Sequence, residues 1–138
     1  MATLVVHTDG GARGNPGPAA IGVVLDAPDF HAEHERTIGD ATNNVAEYTA
    51  VLDACEQIQS IIAPQGIHHL IFYLDSELVV KQIRGEYRVK DPNLQVLHTK
   101  VHEHLTKISL PYNFQHIRRA DNALADKLVN HALDSLNS

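Results

Sequence analysis

The chain has 138 residues, 43% of them hydrophobic, with a formal net charge of −6 and one cysteine. That suffices for one domain with one core over residues 1–138. With no run of 18 apolar residues, no cationic-then-apolar leader and no low-complexity tail, a membrane span, a disulfide scaffold and a disordered chain are excluded, and a soluble, cytoplasmic monomer is expected. In chain order, residues 3–9, 19–26 and 30–38 read as strands, joined by a glycine-rich turn and a short connection near Ala27-Pro28-Asp29. A helix covers about 44–62 and stops before Pro64 and Gly66, and a buried strand follows at 67–75. A short helix takes 76–84, Pro92 opens a helical stretch to about Lys107, and a strand at 112–118 follows Pro111. Asp121 is placed to cap the last helix. Strands first, then helices alternating with strands, indicate a mixed sheet with helices on its faces.

Charge divides unevenly along this order. Residues 1–80 hold two basic residues, Arg13 and Arg36, against eleven acids, whereas residues 81–138 hold nine basic residues and six acids. This distribution makes weak, salt-sensitive binding to a polyanion the expectation, not a tight electrostatic clamp.

Four acids stand where a fold does not ordinarily want them. Asp9 ends the first strand, ahead of glycines at 10, 11, 14 and 17, residues that let a backbone approach a ligand closely or adopt positive φ. Taken alone, an Asp-Gly-Gly turn is most often a plain hairpin. Glu47 shares a helical stripe with Ala50, Val51, Ala54 and Ile58, and so faces the core. Asp75 ends the strand LIFYLDS, and Asp126 lies in the last helix. Each acid has an ordinary reading by itself: solvation at a strand end, a helix-end charge, or a rim residue that reaches water. If strands 3–9 and 67–75 are parallel neighbours, Asp9 and Asp75 emerge together at the carboxyl ends, where open α/β sheets bind ligands.

The segments TDGGARGNPGPAAIG, TNNVAEYTAV, LDSELVVKQI and RRADNALADKL together resemble type 1 ribonuclease H. The resemblance runs from Thr3 to His131, in the family's motif order and in a short form without its extra basic helix. It implies an α/β fold, a ribonuclease H-like five-stranded mixed sheet with its second strand antiparallel to the others and helices on both faces. It also implies a metal-dependent endoribonuclease that hydrolyses the RNA strand of RNA–DNA hybrids, leaving 3′-hydroxyl and 5′-phosphate ends. The implied cofactors are two divalent ions, Mg²⁺ or Mn²⁺. Asp9 would bridge them, Glu47 and Asp75 would hold one, and Asp126 the other. Magnesium's preference for carboxylate and water ligands agrees with four acids and few other ligands.

For the substrate, the resemblance assigns sugar contacts to the backbone near Gly14 and to Asn15 and Asn43. It assigns the DNA-strand phosphate to Thr42 and Asn44, and adds Ser76. Thr42, Asn43 and Asn44 also precede a helix, where such residues serve as caps, and both roles can coexist. Arg84, Arg88 and Lys90 are candidates to replace part of the absent basic helix, with solvated surface charge as the alternative. His116 falls within the last strand, so the family's loop histidine is not assigned to it. Arg118 or Arg119 is the candidate to face a phosphate instead. His98 and His102, with His104 after them, have the spacing of a zinc pair. No cysteine accompanies them, and exposed helix histidines are the simpler reading. Cys55 reads as a small core residue. Two rival functions remain: a hybrid-binding module without turnover, disfavoured because all four acids are present, and a same-fold nuclease for double-stranded RNA or single embedded ribonucleotides.

Overall fold

The computed structural model describes residues 2–137. Three antiparallel-linked strands come first: β1 (Ala2–Ala12), β2 (Gly17–Ala27) and β3 (Phe30–Ala41). They are followed by α1 (Asn43–Gln65), β4 (Ile67–Leu74), α2 (Glu77–Ile83), α3 (Pro92–Ile108), β5 (Tyr112–His116) and α4 (Ala123–Asp134). The five strands form one sheet in the order β3-β2-β1-β4-β5. β1 pairs with β2 antiparallel and with β4 parallel, and β4 pairs with β5 parallel, so β2 alone runs against the other four, as the resemblance implied.

Helices cover both faces. Leu4, Val6, Phe72 and Leu74 of the sheet pack with Tyr48, Val51 and Ile58 of α1, and with side chains of α2 and α3, in the principal core. The other face is thinner: Ala20 meets Val129, Ala132 and Leu133 of α4, and Val24 meets Ala125 and Leu128. The Glu47 stripe behaves as its spacing predicts, with Ala50, Val51, Ala54 and Ile58 all fully buried. Among the described residues no helix is long and apolar enough to cross a membrane.

Several boundaries differ from the sequence expectation. α1 runs through Pro64 and ends at Gly66, whose φ of 60° supplies the left-handed cap. β1 extends through the glycines to Ala12, so most of the turn is strand. β5 stops at His116, not 118. Asp121 does not cap α4: it lies in a 3₁₀ turn (Arg119–Asn122) and its carboxylate accepts from Arg118 at 3.0 Å.

Two glycines decide how close the helices lie. A Cβ on Gly10 would stand 2.3 Å from the backbone carbonyl of Ala46, and one on Gly22 would stand 2.5 Å from that of Ala125. α1 and α4 therefore rest directly on the sheet at the residues just before Glu47 and Asp126. Of the four turn glycines only Gly14 has a positive φ, at 93°. Gly10 and Gly17 accommodate the protein's own backbone rather than a ligand.

Candidate functional site

Thr8 paired to Leu74 is the last rung between β1 and β4, so Asp9 and Asp75 stand side by side where β4 ends; Asp9 does not end its own strand, since β1 continues along β2 to Ala12. α1 held against Gly10 adds Glu47. One carboxylate oxygen from each of Asp9, Glu47 and Asp75 lies within 4.8 Å of the others, the only such group of metal-competent side chains among the described residues. Asp126, held by α4 against Gly22, lines the same cleft of about 430 Å³.

Water is largely excluded from two of these acids: Asp9 is 6% and Glu47 7% exposed. Burial first, then the negative charge of Asp75, pushes the Asp9 carboxyl up to about 7. Burial and the charges of Asp9 and Asp75 raise Glu47 well above the ordinary range. Asp75 is also raised by burial, against an opposing pull from the Asn122 amide and the Arg119 guanidinium. Carboxylates crowded this way repel one another until something cationic meets them. Glu47 Oε2 is buried with no hydrogen-bond partner, and an orphaned acceptor among three acids suits a hard divalent cation with oxygen ligands.

Two supporting residues carried no sequence signal. Asn122, 1% exposed, donates to the Thr8 carbonyl at 2.9 Å and so ties the 3₁₀ turn to the strand that carries Asp9. Asn93 joins Asn15, Thr42, Asn43 and Asn44 around a second cavity of about 370 Å³ where the first turns of α1 and α3 converge. Pro92 and the Asp91 cap announce α3, but nothing local says that it ends beside α1.

The predicted substrate residues separate into groups. Asn43 accepts from the Ala12 N–H at 2.8 Å, and Asn15 accepts from the Asn43 N–H at 3.0 Å, clasping the glycine turn to the start of α1. With each side-chain oxygen already accepting one backbone N–H, the NH₂ of each asparagine is the donor it offers. Thr42 caps α1 through the Val45 N–H, and Ser76 caps α2 through the Val79 N–H. Gly14 and Ser76 line neither cavity. Arg119 lies 3.4 Å from Asp126 in the carboxylate cleft, whereas Arg118 is turned to Asp121. Arg84 pairs with Glu86 at 2.9 Å, on a separate groove of about 940 Å³ that also contains His98, His102 and His116. That groove is larger but holds no cluster of acids. His98 and His102 are half-buried, not exposed as expected, and the His98 ring is committed to the Gln82 carbonyl at 3.0 Å. Cys55 is fully buried.

His116 ends β5 and lies 3.9 Å from Glu77, outside the carboxylate cleft. For the reaction the resemblance implies, His116→Ala should therefore change cleavage per folded molecule by less than about threefold, because a general acid or base contributes about 10²–10⁴-fold. Single-turnover rates at matched folded fraction check this; a hundredfold loss would put His116 at the reacting atoms.

A family model described as "Reverse transcriptase-like" matches residues 7–132. The chain is 43% identical over 130 residues to ribonuclease HI of Halobacterium salinarum, covering 93% of this chain and 63% of that protein. The crystal structure of RNase H1 from that archaeon aligns with a TM-score of 0.88 at 40% identity, over 96% of this chain and 98% of the other. A bifunctional protein of Mycobacterium tuberculosis is 37% identical over 135 residues, 96% of this chain but 36% of its own length. The chain thus spans between about a third and two thirds of these curated relatives. LC11-RNase H1, isolated from compost by a metagenomic approach, aligns at 42% identity with a TM-score of 0.92 over 100% of both chains. The same protein solved in complex with an RNA/DNA hybrid aligns at 0.91 and 42% identity, over 98% of this chain and 99% of the other.

Proposed function

Because the chain belongs to the type 1 ribonuclease H family, we propose that it is a divalent-metal-dependent endonuclease. Its substrate would be the RNA strand of RNA–DNA hybrids, and its products would carry 3′-hydroxyl and 5′-phosphate ends. The observation that carries this reading is the convergence of Asp9, Glu47 and Asp75 on one point, with Asp126 in the same cleft. The structure of LC11-RNase H1 with a hybrid supports the substrate class.

Asp9, Glu47 and Asp75 would hold one Mg²⁺ or Mn²⁺, and Asp9 with Asp126 a second. Bound there, two such ions activate water, polarise the phosphate and stabilise the leaving oxygen. The chain itself orients the substrate. An RNA-containing duplex exposes 2′-hydroxyls in a wide, shallow minor groove. Glu47 accepts from a 2′-hydroxyl, and the NH₂ groups of Asn15 and Asn43 donate to sugar or base-edge oxygens beside Gly14. Thr42, Asn44 and Asn93 seat a phosphate of the DNA strand, helped by the positive end of α1. The Ser76 hydroxyl caps α2, so its part is to hold Asp75 in place. Arg119, across from Asp126, faces the phosphate leaving the cleft.

The test is cleavage of a labelled hybrid with and without a chelator, followed by end-group analysis of the fragments. Loss of activity on chelation, and fragments that a 3′-hydroxyl-dependent polymerase extends directly, are expected. Activity that survives thorough chelation contradicts the proposal.

Arg84, Arg88 and Lys90, beyond α2, are proposed to grip the duplex outside the cleft. Changing all three to Glu should raise KM and flatten its dependence on salt, since each lost phosphate contact removes about 0.9 from the logarithmic slope. An unchanged KM and slope would leave these residues as plain surface.

A further inference from the structure

The carboxylate cleft does not end at Asp126. It continues along α4 past Asn130 to Leu133, and its far wall is Arg13 of the β1–β2 turn. Arg13 is held there from three directions. Its N–H donates to the Pro18 carbonyl at 2.8 Å, and its Nη2 donates to Asp134 at 2.7 Å and to Asn130 at 3.4 Å. Asn130 is anchored in turn by its amide on the Asp126 carbonyl at 3.1 Å. The turn beneath is tight: a Cβ on Gly17 would lie 2.2 Å from the Arg13 carbonyl oxygen. The guanidinium thus sits between Asn130 and Asp134, one to two helical turns or roughly 6–12 Å beyond Asp126 along α4.

We propose that Arg13 binds a phosphate one or two steps from the cleaved one on the same strand, as a substrate-positioning residue. This rests on the nuclease reading of the cleft. A guanidinium offers five N–H donors in a fixed fork that matches phosphate oxygens, and Asp134 and Asn130 use only Nη2. The partner Asp134 is 68% exposed, and an ion pair so open to water is worth little, so Asp134 competes only weakly with a phosphate for the guanidinium. Arg119 stands beside Asp126, so a polyanion entering this acidic cleft meets one cation at the cleavage point and a second one or two steps along its backbone. Arg13 was counted in the sequence only as a charge. Its place on the cleft depends on α4 returning, more than a hundred residues later, to lie beside the turn.

The test uses Asp126→Asn as a background silenced for cleavage, with Mg²⁺ present. Fluorescence anisotropy gives the Kd for a labelled RNA–DNA hybrid across a salt series. Adding Arg13→Ala should weaken binding about five- to tenfold at low salt and lower the slope of log K against log salt by about 0.9. Arg13→Lys should keep most of the slope, because the point charge remains, and it also serves if the alanine variant folds poorly. With hybrids in which single RNA-strand phosphates are replaced by neutral methylphosphonates, the effect of Arg13→Ala should vanish at one position within two steps of the cleavage point. The same Kd and slope in the folded Arg13→Ala protein as in its background, or an effect indifferent to which phosphate is neutral, overturns the proposal. A background that fails to prefer the hybrid over a DNA duplex overturns the nuclease reading and this inference together.

Discussion

Asp9→Asn is expected to abolish cleavage while making the metal-free protein more stable. Asp9 stands at the centre of the acids, buried and facing Asp75, Glu47 and Asp126, and its carboxyl is pushed up from 3.8 to about 7. The sign of the consequence is opposite to that of an ordinary salt-bridged acid. The folded protein holds a proton on Asp9 that the unfolded chain releases near pH 4, so folded stability falls as pH rises from about 4 through about 7. Three pK units correspond to at most about 4 kcal/mol. Asparagine removes the charge and with it most of this loss. Denaturant melts in chelator from pH 4 to pH 8 should show the parent weakening with pH more steeply than Asp9→Asn, and saturating Mg²⁺ should restore the parent selectively. A variant that cleaves hybrid at near the parent rate, or that shares the parent's pH slope, would contradict this placement.

Gly10→Ala is expected to cost stability and activity together. The added methyl would sit 2.3 Å from the Ala46 carbonyl and 2.6 Å from the Glu47 backbone nitrogen, a distance real atoms do not adopt, so α1 must withdraw from the sheet. Overpacking of this kind costs about 1–3 kcal/mol or more, and a reactive group displaced by about 1 Å can lose about 10²-fold in rate. Glu47 travels with that helix. Gly22→Ala, 2.5 Å from the Ala125 carbonyl, should act in the same way through α4 and Asp126. Gly39→Ala is the control. Its φ of 79° strains an alanine, but nothing lies within 4 Å of the new atom, so it should cost about 1–2 kcal/mol with activity per folded molecule retained. Equal activity in Gly10→Ala and Gly39→Ala at matched folded fraction would mean that the close approach does not position Glu47.

These glycines also mark where sequence reading stops. Asp9 and Asp75 are legible because each acid directly follows an apolar run, although β1 in fact continues past Asp9 to Ala12, and Glu47 because its spacing to Ala50, Val51, Ala54 and Ile58 puts it on the buried stripe. The sheet order and the antiparallel β2 follow from family resemblance more than from pattern. Gly22 carries no mark of its own: in the run AAIGVVL it reads as one weak strand position, and its purpose is visible only once Ala125 arrives from across the chain. Asn122, Asn93 and Arg13 share that difficulty, since each acts through a neighbour distant in sequence. Asp121 misled for the opposite reason. A capping residue type sat at the right spacing, but Arg118 three residues earlier provided a competing partner and the helix began after a 3₁₀ turn.

On the proposed function, this cleft cleaves RNA paired with DNA. The most direct measurement sets the purified protein, with Mg²⁺ or Mn²⁺, against end-labelled RNA–DNA, RNA–RNA, DNA–DNA and single-ribonucleotide duplexes of one sequence. Internal cuts in the RNA strand of the hybrid, absent from the DNA duplex and lost in Asp9→Asn, are the predicted result. No cleavage of the hybrid under either metal, or cleavage of the all-DNA duplex at the same rate, would contradict it.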